Sequence, residues 1–334
     1  MDAILVTGGA GFVGLNVTQA LLARGAHVVV FGQEAVLPDP APAIFAKLPG
    51  RLEVLQGDVR DADALAAVFA GRRIGAVLPF AAVTAGPQRE AADPQFVLDV
   101  NLKGMVATLQ AARDAGTVRR VVLPSSAAVY GESAYAFAEL DEAATPPVPI
   151  SLYGVTKYAV ERAGLRLASL WGLDAVAARI GATFGPWERD TGLRDTLSLH
   201  LAIAQAARRG EAVVLPPAPL PAYDWIYVRD LAEGLLALLD APAPPYRVVN
   251  LASGLDWAPH YAACLDVLAR RFPGFRWRHA QPGEAPTIAW NESRPRGVMR
   301  IARAADFGWR PRHAPEAAMA DYAGWLANGD EGLR

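Results

Sequence analysis

Tyr153 and Lys157 are the residues whose types and spacing most directly indicate chemistry. They lie four residues apart in a segment, 152–170, whose pattern predicts a helix, so their side chains share one face. A phenol has a reference pKa of about 10, and a neighbouring ammonium favours the phenolate that acid–base catalysis needs. Only three of the 32 basic residues are lysines, so an ordinary surface pair in this chain would use arginine. The pair therefore predicts a tyrosine that moves protons.

Ser126 is a second candidate, because it comes just after a predicted strand, 120–124. Ligands of parallel α/β sheets collect at the carboxyl ends of the strands. A serine hydroxyl at that edge can hold a reacting oxygen of the substrate. The sequence thus predicts a catalytic group of Ser126, Tyr153 and Lys157.

A glycine-rich loop follows the first predicted strand, 4–7, and opens the first predicted helix, 12–23. Glycines at this junction permit a tight turn and a close approach of backbone to a pyrophosphate, which binds the free N–H groups of the helix. The alternative is a turn that needs glycine only for positive φ angles. The position favours a dinucleotide site, formed by Gly8, Gly11, Phe12, Val13 and Gly14.

The end of the second predicted strand, 27–31, bears on the choice of dinucleotide. An acid there usually holds the adenosine ribose 2′-OH of NAD, but this chain has Gly32, followed by Gln33 and Glu34. Gln33 or Glu34 could hydrogen-bond the ribose, which slightly favours NAD and leaves NADP open. We expect little discrimination between NADH and NADPH.

Asp58 and Val59 follow the third predicted strand, 52–56, where they would meet the adenine. The Asp58 carboxylate is placed to accept from the adenine amino group. The alternative is a residue that caps the following helix.

These residues need a scaffold, and the chain predicts an α/β one. Predicted strands at 4–7, 27–31, 52–56, 76–80, 120–124 and 175–180 alternate with predicted helices at 12–23, 62–70, 94–115 and 152–170. This alternation is typical of a doubly wound parallel sheet of the Rossmann type. After residue 181 the regular alternation of strands and helices ends. Proline clusters there separate the remaining predicted elements, which are a helix at 193–209, a strand at 224–227, a helix at 228–239 and a strand at 247–251.

We therefore predict two interleaved units. Residues 1–180 form the dinucleotide-binding domain, to which 224–252 return. Residues 181–223 and 253–334 form a smaller C-terminal substrate domain.

Composition excludes several classes of protein. The 334 residues carry 32 basic and 34 acidic side chains, which argues against a nucleic-acid binder. No window approaches the roughly 20 apolar residues of a membrane span. The single cysteine, Cys264, cannot form an internal disulfide and suits a reducing, cytoplasmic setting. The five histidines lack metal-ligand spacing, so we expect no metal site.

Taken together, the motifs resemble those of the extended short-chain dehydrogenase/reductase family, in particular its NAD-dependent epimerases and dehydratases of nucleotide sugars. The motifs are the glycine loop, Asp58, segment 101–104, segment 125–131 and the Tyr153/Lys157 pair. They cover the first 190 residues, and the likeness continues more loosely to residue 311.

The resemblance implies roles for these residues. Tyr153 is the acid/base, Lys157 favours its phenolate and holds the nicotinamide ribose, and Ser126 orients the reacting oxygen. Asn101 supports the active site, and Ala81 and Ala82 line the cofactor. The resemblance also implies a homodimer that associates through the helices at 94–115 and 152–170.

The chain departs from the family at the substrate side. Ala127 and Ala128 stand where dehydratases place an Asp-Glu pair, which argues against dehydration. Ala182 and Tyr223 stand where the family has phosphate-contacting Asn and Arg. A substrate without a nucleotide, such as a free sugar acid, lactone or polyol, is therefore an open alternative.

Other residues could still meet the substrate. Arg189 and Arg296 could bind an anion, as could Arg194 and Arg300, although solvated surface arginines are an equal alternative. Trp187 falls in a segment that faces the substrate in the resembling fold. The predicted substrate contacts are Ser126, Ala182, Trp187, Arg189, Tyr223 and Arg296.

The leading hypothesis is an NAD(P)-dependent epimerase that acts through a transient ketone on a secondary alcohol of a sugar or sugar-nucleotide-like substrate. The alternative is a dehydrogenase or reductase of a sugar acid or polyol with net hydride transfer. A non-catalytic Rossmann-type binding protein is a third possibility, against which the intact Ser126, Tyr153 and Lys157 argue.

Overall fold

The computed structural model describes residues 2–242, 246–288 and 294–328. Its strands are β1 (Ala3–Thr7), β2 (His27–Gly32), β3 (Arg51–Gln56), β4 (Ile74–Pro79), β5 (Arg120–Ser126), β6 (Glu139–Leu140), β7 (Ala175–Ile180), β8 (Ala182–Phe184), β9 (Ala212–Leu215), β10 (Trp225–Tyr227), β11 (Val248–Leu251), β12 (Arg276–His279) and β13 (Val298–Met299). Its helices are α1 (Phe12–Ala23), α2 (Ala41–Phe45), α3 (Ala62–Phe69), α4 (Pro87–Ala92), α5 (Pro94–Leu98), α6 (Gly104–Ala115), α7 (Ser133–Ala136), α8 (Leu152–Trp171), α9 (Leu199–Arg209), α10 (Val228–Asp240), α11 (Tyr261–Arg271), α12 (Ala302–Asp306) and α13 (Pro315–Asn328). A π-helical turn, Asp99–Lys103, and 3-10 turns at Ala127–Val129 and Ala258–His260 complete the regular structure.

A parallel sheet of seven strands forms the centre, in the order β11-β7-β5-β4-β1-β2-β3. Its inner strands are apolar on both faces, as expected of a parallel sheet that helices cover on both sides, whereas the edge strand β3 is only partly buried. In β2, for example, Val28, Val29, Val30 and Phe31 are all buried. The prediction of a Rossmann-type doubly wound fold is confirmed.

Two hydrophobic cores separate the sheet from its helical layers. On one side α1 and α10 contribute side chains such as Leu15 and Leu235. On the other side α3, α6 and α8 contribute Leu65, Leu109 and Val160. The sheet is thus held from both faces, and its carboxyl edge is left for ligands.

The C-terminal half builds a third core around Phe184, Ile203 and Trp257. It contains two small parallel sheets, in which β8 pairs with β10 and β9 pairs with β12. The returning segment supplies β11 to the edge of the central sheet and α10 to its helical layer, whereas β10 stays with β8. Trp309 also packs into the core under α1 and α10. The exact limits of the two units, 1–180 with 224–252 and 181–223 with 253–334, stay a prediction.

Two predicted helices differ from the structure. Residues 94–115 are helical throughout, as predicted, but the helix is not regular, because it widens into the π-helical turn at Asp99–Lys103 between α5 and α6. The predicted helix 193–209 begins only at Leu199, where the Ser198 hydroxyl accepts from the Leu201 N–H and caps it. The residues before Ser198 form part of a cavity wall instead.

None of the helices in the described ranges combines the length and the apolar character that crossing a bilayer needs. Within the same ranges, no group of three or more His, Cys, Asp or Glu side chains is arranged to hold a metal ion. Cys264 is buried as a free thiol.

His200 lies fully buried among the aromatic rings of the third core. Its ring stacks on Phe184 at a centroid distance of 3.9 Å and meets the edge of Trp225 at 4.7 Å. Neither ring nitrogen has a hydrogen-bond partner among the described residues. Because burial penalises the charged ring, the pKa of His200 falls to about 3, and the folded protein holds it neutral.

We predict that His200 makes stability depend on pH below about 6.5. The unfolded chain takes up a proton there and the folded chain does not, so lowering the pH from 7 to 5 should cost about 2 kcal/mol through this one group. Urea unfolding at both pH values should show that His200→Phe, which keeps an aromatic ring, loses less stability than the wild type by that amount. Parallel losses in the two proteins would contradict the assignment.

Candidate active site

A cavity of about 630 Å³ opens at the carboxyl edge of the central sheet. Most of the residues predicted from the sequence line it. They are Gly8, Gly11, Phe12, Val13, Gly14, Gln33, Asp58, Val59, Ala81, Ala82, Ser126, Tyr153, Lys157, Ala182, Arg189, Tyr223 and Arg296. Two predicted residues, Asn101 and Trp187, do not line it.

The glycine loop forms a cradle that has no room for side chains. Gly8 has φ +64°, and a Cβ there would lie 2.7 Å from the backbone of Ala81. A Cβ on Gly14 would lie 2.5 Å from the Gly8 carbonyl oxygen. The N-terminus of α1 has no side-chain cap and no acidic residue in its first turn. Its N–H groups are therefore available to an anion, which fits the pyrophosphate of a dinucleotide.

Asp58 lies at the adenosine end of this cradle and carries a firmly held charge. Its carboxylate accepts from the Arg60 guanidinium at 2.6 Å and from the Gln33 amide at 3.3 Å. The hydrogen bond from Arg60 holds the pKa of Asp58 down, to about 2. The carboxylate can therefore accept a hydrogen bond from an adenine amino group, but it shares its lone pairs with Arg60.

Tyr153 and Lys157 are brought to the cavity by the first turns of α8. The helix begins at a Ser151 cap, whose hydroxyl accepts from the Gly154 N–H at 3.0 Å. Lys157 is buried, donates from Nζ to the Pro124 carbonyl at 3.1 Å and lies 5.6 Å from the centre of the Tyr153 ring. The ammonium is thus fixed between β5 and the phenol ring.

Ser126 is held where β5 ends. Its hydroxyl oxygen accepts from the Ala128 N–H at 3.1 Å, and this bond starts the 3-10 turn that follows. The hydroxyl hydrogen remains available to the cavity. Ser126, Tyr153 and Lys157 therefore share one cavity wall, as the sequence predicts.

A buried ion pair lies directly behind this wall. The Glu161 carboxylate of α8 accepts from Arg179 of β7 at 2.8 and 2.9 Å and from the Ser125 hydroxyl of β5 at 3.1 Å. Both charged side chains are buried. The pair joins the helix that carries Tyr153 to the two strands at whose ends the cavity opens.

Asn101 supports the site from behind the cavity lining, and its contact with the cofactor stays a prediction. Its amide is buried, accepts from the Val83 N–H at 2.7 Å and donates to the Val83 carbonyl at 2.9 Å. It also donates to the Thr156 hydroxyl at 3.0 Å. Asn101 therefore ties the loop after β4 to α8, because the π-helical turn directs its side chain inward.

The prediction that Trp187 faces the substrate is wrong, because the side chain is buried in the hydrophobic core. Its indole N–H donates to Gln19 at 3.0 Å, and its ring packs edge-on against Phe45 and Trp325. Trp187 is the one non-glycine residue of the described chain with positive φ, at 70°, and this backbone directs the ring into the core.

Glu90 was missed by the sequence reasoning. It lies on α4, lines the cavity and accepts from the Tyr153 N–H at 3.1 Å. A carboxylate at a helix N-terminus is favourable. No local pattern indicates this contact, because 63 residues separate its partners.

Comparison with known proteins assigns the family. The model of the NAD-dependent epimerase/dehydratase family matches residues 4–252. The chain belongs to this family.

The chain is similar to epimerases over nearly its whole length. The chain is 32% identical over 341 residues to a UDP-glucose 4-epimerase of Streptomyces lividans, covering 98% of this chain and 97% of that one. It is similar to the structure of MoeE5 in complex with UDP-glucuronic acid and NAD, with TM-score 0.75, 25% identity and coverage of 98% and 99%. A UDP-glucose 4-epimerase of Thermotoga maritima with UDP-glucose shares the fold, with TM-score 0.78, 21% identity and coverage of 98% and 99%.

Three arginines line the cavity of this family member, and one of them, Arg194, donates to the buried Glu188 carboxylate at 3.1 Å. Arg189 donates to the Ala10 carbonyl of the glycine loop at 2.8 Å, and its other terminal nitrogen, Nη1, is buried with no hydrogen-bond partner among the described residues. Burial lowers the pKa of Arg189. Arg296 donates to the Tyr223 hydroxyl at 3.1 Å. Arg189 thus lies against the cofactor cradle, whereas Arg296 lies beside Tyr223 on the substrate side.

We predict that the buried ion pair is strongly coupled. Glu161→Leu should lose about 3–5 kcal/mol of stability, because it leaves the Arg179 charge buried without its carboxylate. The double variant Glu161→Leu/Arg179→Met should lose less than the single variant, because no buried charge remains. Urea unfolding followed by circular dichroism measures the stability of both variants and of Arg179→Met. If the double variant lost as much stability as the two single variants added together, the coupling would be contradicted.

Proposed function

We propose that the protein is an NAD-dependent epimerase that inverts a secondary alcohol of a nucleotide-linked sugar through a transient ketone. The observation that carries this proposal is the gathering of Ser126, Tyr153 and Lys157 with the glycine cradle in one cavity. End-to-end similarity to a UDP-glucose 4-epimerase supports the substrate class.

Bound NAD would supply the acceptor for a hydride from the alcohol carbon and would return it to the ketone. The chain's own residues handle the proton and the oxygen. The Tyr153 phenolate takes the proton from the substrate hydroxyl and later gives it back, so no proton is gained or lost overall. The Lys157 ammonium stabilises the phenolate, and the Ser126 hydroxyl donates to the substrate oxygen.

Dehydration does not fit this cavity wall. Loss of water needs an acid and a base next to the catalytic hydroxyl. Ala127 and Ala128 line the cavity at those places and carry neither. Epimerisation and net dehydrogenation or reduction need no such pair and remain.

The second candidate is a dehydrogenase that releases the ketone, or a reductase that takes up a ketone and releases the alcohol, with net hydride transfer in either case. The observation that favours it is the cavity wall at Ala182 and Tyr223, where the family resemblance places phosphate-contacting Asn and Arg. A sugar acid or polyol without a nucleotide would not need those contacts. Arg296, which lies beside Tyr223, can still bind an anionic group of the substrate. A nucleotide sugar therefore remains the first candidate substrate.

We predict that Tyr153→Phe lowers epimerisation by about 10²–10⁴-fold, because the proton loses its carrier. Interconversion of UDP-glucose and UDP-galactose, and of UDP-glucuronate and UDP-galacturonate, would be followed by chromatography. Tyr158→Phe is the matched control: the same change on the same helix, outside the cavity lining. Equal loss in both variants would contradict the role of Tyr153.

The same incubation with excess NAD separates the two candidate functions. An epimerase should leave the absorbance of reduced nicotinamide unchanged while product forms. Stoichiometric accumulation of reduced cofactor would favour the dehydrogenase and exclude pure epimerisation.

We also propose a cytoplasmic homodimer that associates through α5, α6 and α8. Val155 and Leu170 leave large apolar side chains exposed on α8, at 45% and 58%. Such surface is typical of a helical interface. The lone, buried Cys264 supports a reducing compartment, which cell fractionation would test.

We predict that Val155→Asp converts the dimer to a monomer, because the interface would then bury a charge. Size-exclusion chromatography with light scattering measures the mass. Leu255→Asp changes an exposed apolar residue away from these helices and is the control. A monomeric wild type would refute the dimer.

A further inference from the structure

Gly32 ends β2 at the place where an acid usually binds the adenosine ribose. Its backbone does not require glycine, because its φ is not in the positive range. A Cβ placed on Gly32 would lie 3.4 Å from Glu34 Oε2 and 3.9 Å from the Cα atom of Gly8. The Glu34 carboxylate therefore folds back to the space that a side chain at position 32 would enter.

Gln33, the other residue that could hold the ribose, is already engaged. Its side-chain NH2 donates to Asp58 at 3.3 Å, and its backbone carbonyl accepts from the Gln56 amide at 3.0 Å. Glu34 lines the cavity, and its carboxylate has no hydrogen-bond partner in the described part of the chain. Of these two residues, Glu34 carries a charged acceptor, whereas the Gln33 side chain is neutral and is held by Asp58.

We propose that Glu34 takes over the task of the missing acid and makes the protein select NAD against NADP. Its carboxylate accepts from the adenosine ribose 2′-OH and repels a 2′-phosphate, which carries about two negative charges. We therefore expect selection of NAD against NADP, whereas Gly32 alone predicts little discrimination between the two cofactors. The inference rests on the proposed function in one respect, namely that the cavity binds a nicotinamide dinucleotide.

Arg189 determines what the loss of Glu34 should do. Its guanidinium contacts the glycine loop at Ala10 and lies within electrostatic range of the Glu34 carboxylate. With Glu34 neutralised, this positive charge is no longer offset. We therefore expect binding of the 2′-phosphate to improve when the carboxylate is removed.

The test is a calorimetric titration of the cofactor-free protein with NADH and with NADPH. We expect the wild type to bind NADH about a hundredfold more tightly, from one charge-assisted hydrogen bond gained and one repulsion avoided. Glu34→Gln should reduce that preference to less than about tenfold, with weaker NADH binding and unchanged or tighter NADPH binding. Glu211→Gln, a loss of the same charge at an exposed site outside the cavity lining, should keep the wild-type preference.

A relocation variant tests whether the position of the carboxylate matters. Glu34→Ala should lose the preference, and Gly32→Asp in the same chain should regain much of it, because the acid then lies at the end of β2 beside Gly8. Circular dichroism would verify that each variant folds.

The outcomes separate this inference from the proposed function. Tight but equal binding of NADH and NADPH by the wild type, or a Glu34→Gln variant with the wild-type preference, would overturn the role of Glu34 and leave the epimerase proposal intact. Binding of neither dinucleotide would overturn the proposed function and this inference with it.

Discussion

The ion pair between Glu161 and Arg179 is the interaction on which the geometry of the site depends. Two charges lie in the interior, where each costs several kcal/mol to desolvate, and two of the three Arg179 nitrogens, Nε and Nη2, donate to the Glu161 carboxylate and offset that cost. The pair fixes α8 against β5 and β7, with Ser125 as a third partner. A shift of the helix would separate the charges, so the ion pair opposes movement of Tyr153 and Lys157 relative to Ser126.

The lining of the cavity carries charges of both signs. The carboxylates of Glu34 and Asp58 follow the ends of β2 and β3, free N–H groups begin α1, and Arg296 lies beside Tyr223. A dinucleotide has ribose and adenine donors at one end and a pyrophosphate in its centre, so this arrangement favours a single direction of binding. The buried ammonium of Lys157 then lies at the nicotinamide end, beside the phenol.

Sequence patterns predict residues whose spacing is set by a single helix or turn. They do not predict contacts between residues that are far apart in the chain. The glycine loop and the Tyr153/Lys157 pair are spaced by the helix and the turn that carry them, so their patterns suffice. The place of Trp187 depends on one positive φ angle and on rings at positions 45 and 325, which no pattern near Trp187 indicates. The same holds for Glu90, whose partner is the backbone of a distant helix. The motif match for Asn101 predicts a supporting residue, but it does not indicate the contacts of that residue with Val83 and Thr156.

The π-helical turn at Asp99–Lys103 interrupts the regular α-helical geometry of the run 94–115, which the apolar pattern predicts as a helix. Such a turn is equivalent to one extra residue in an α-helix, and each residue rotates a helix by about 100°. The apolar faces of α5 and α6 are thus rotated relative to each other about the helix axis. Asn101 lies in the π-helical turn that causes this rotation, and its side chain points inward. A natural deletion of one residue in this turn would therefore be more than a shortening: it would restore a regular helix and turn the amide away from the loop and the helix that it joins.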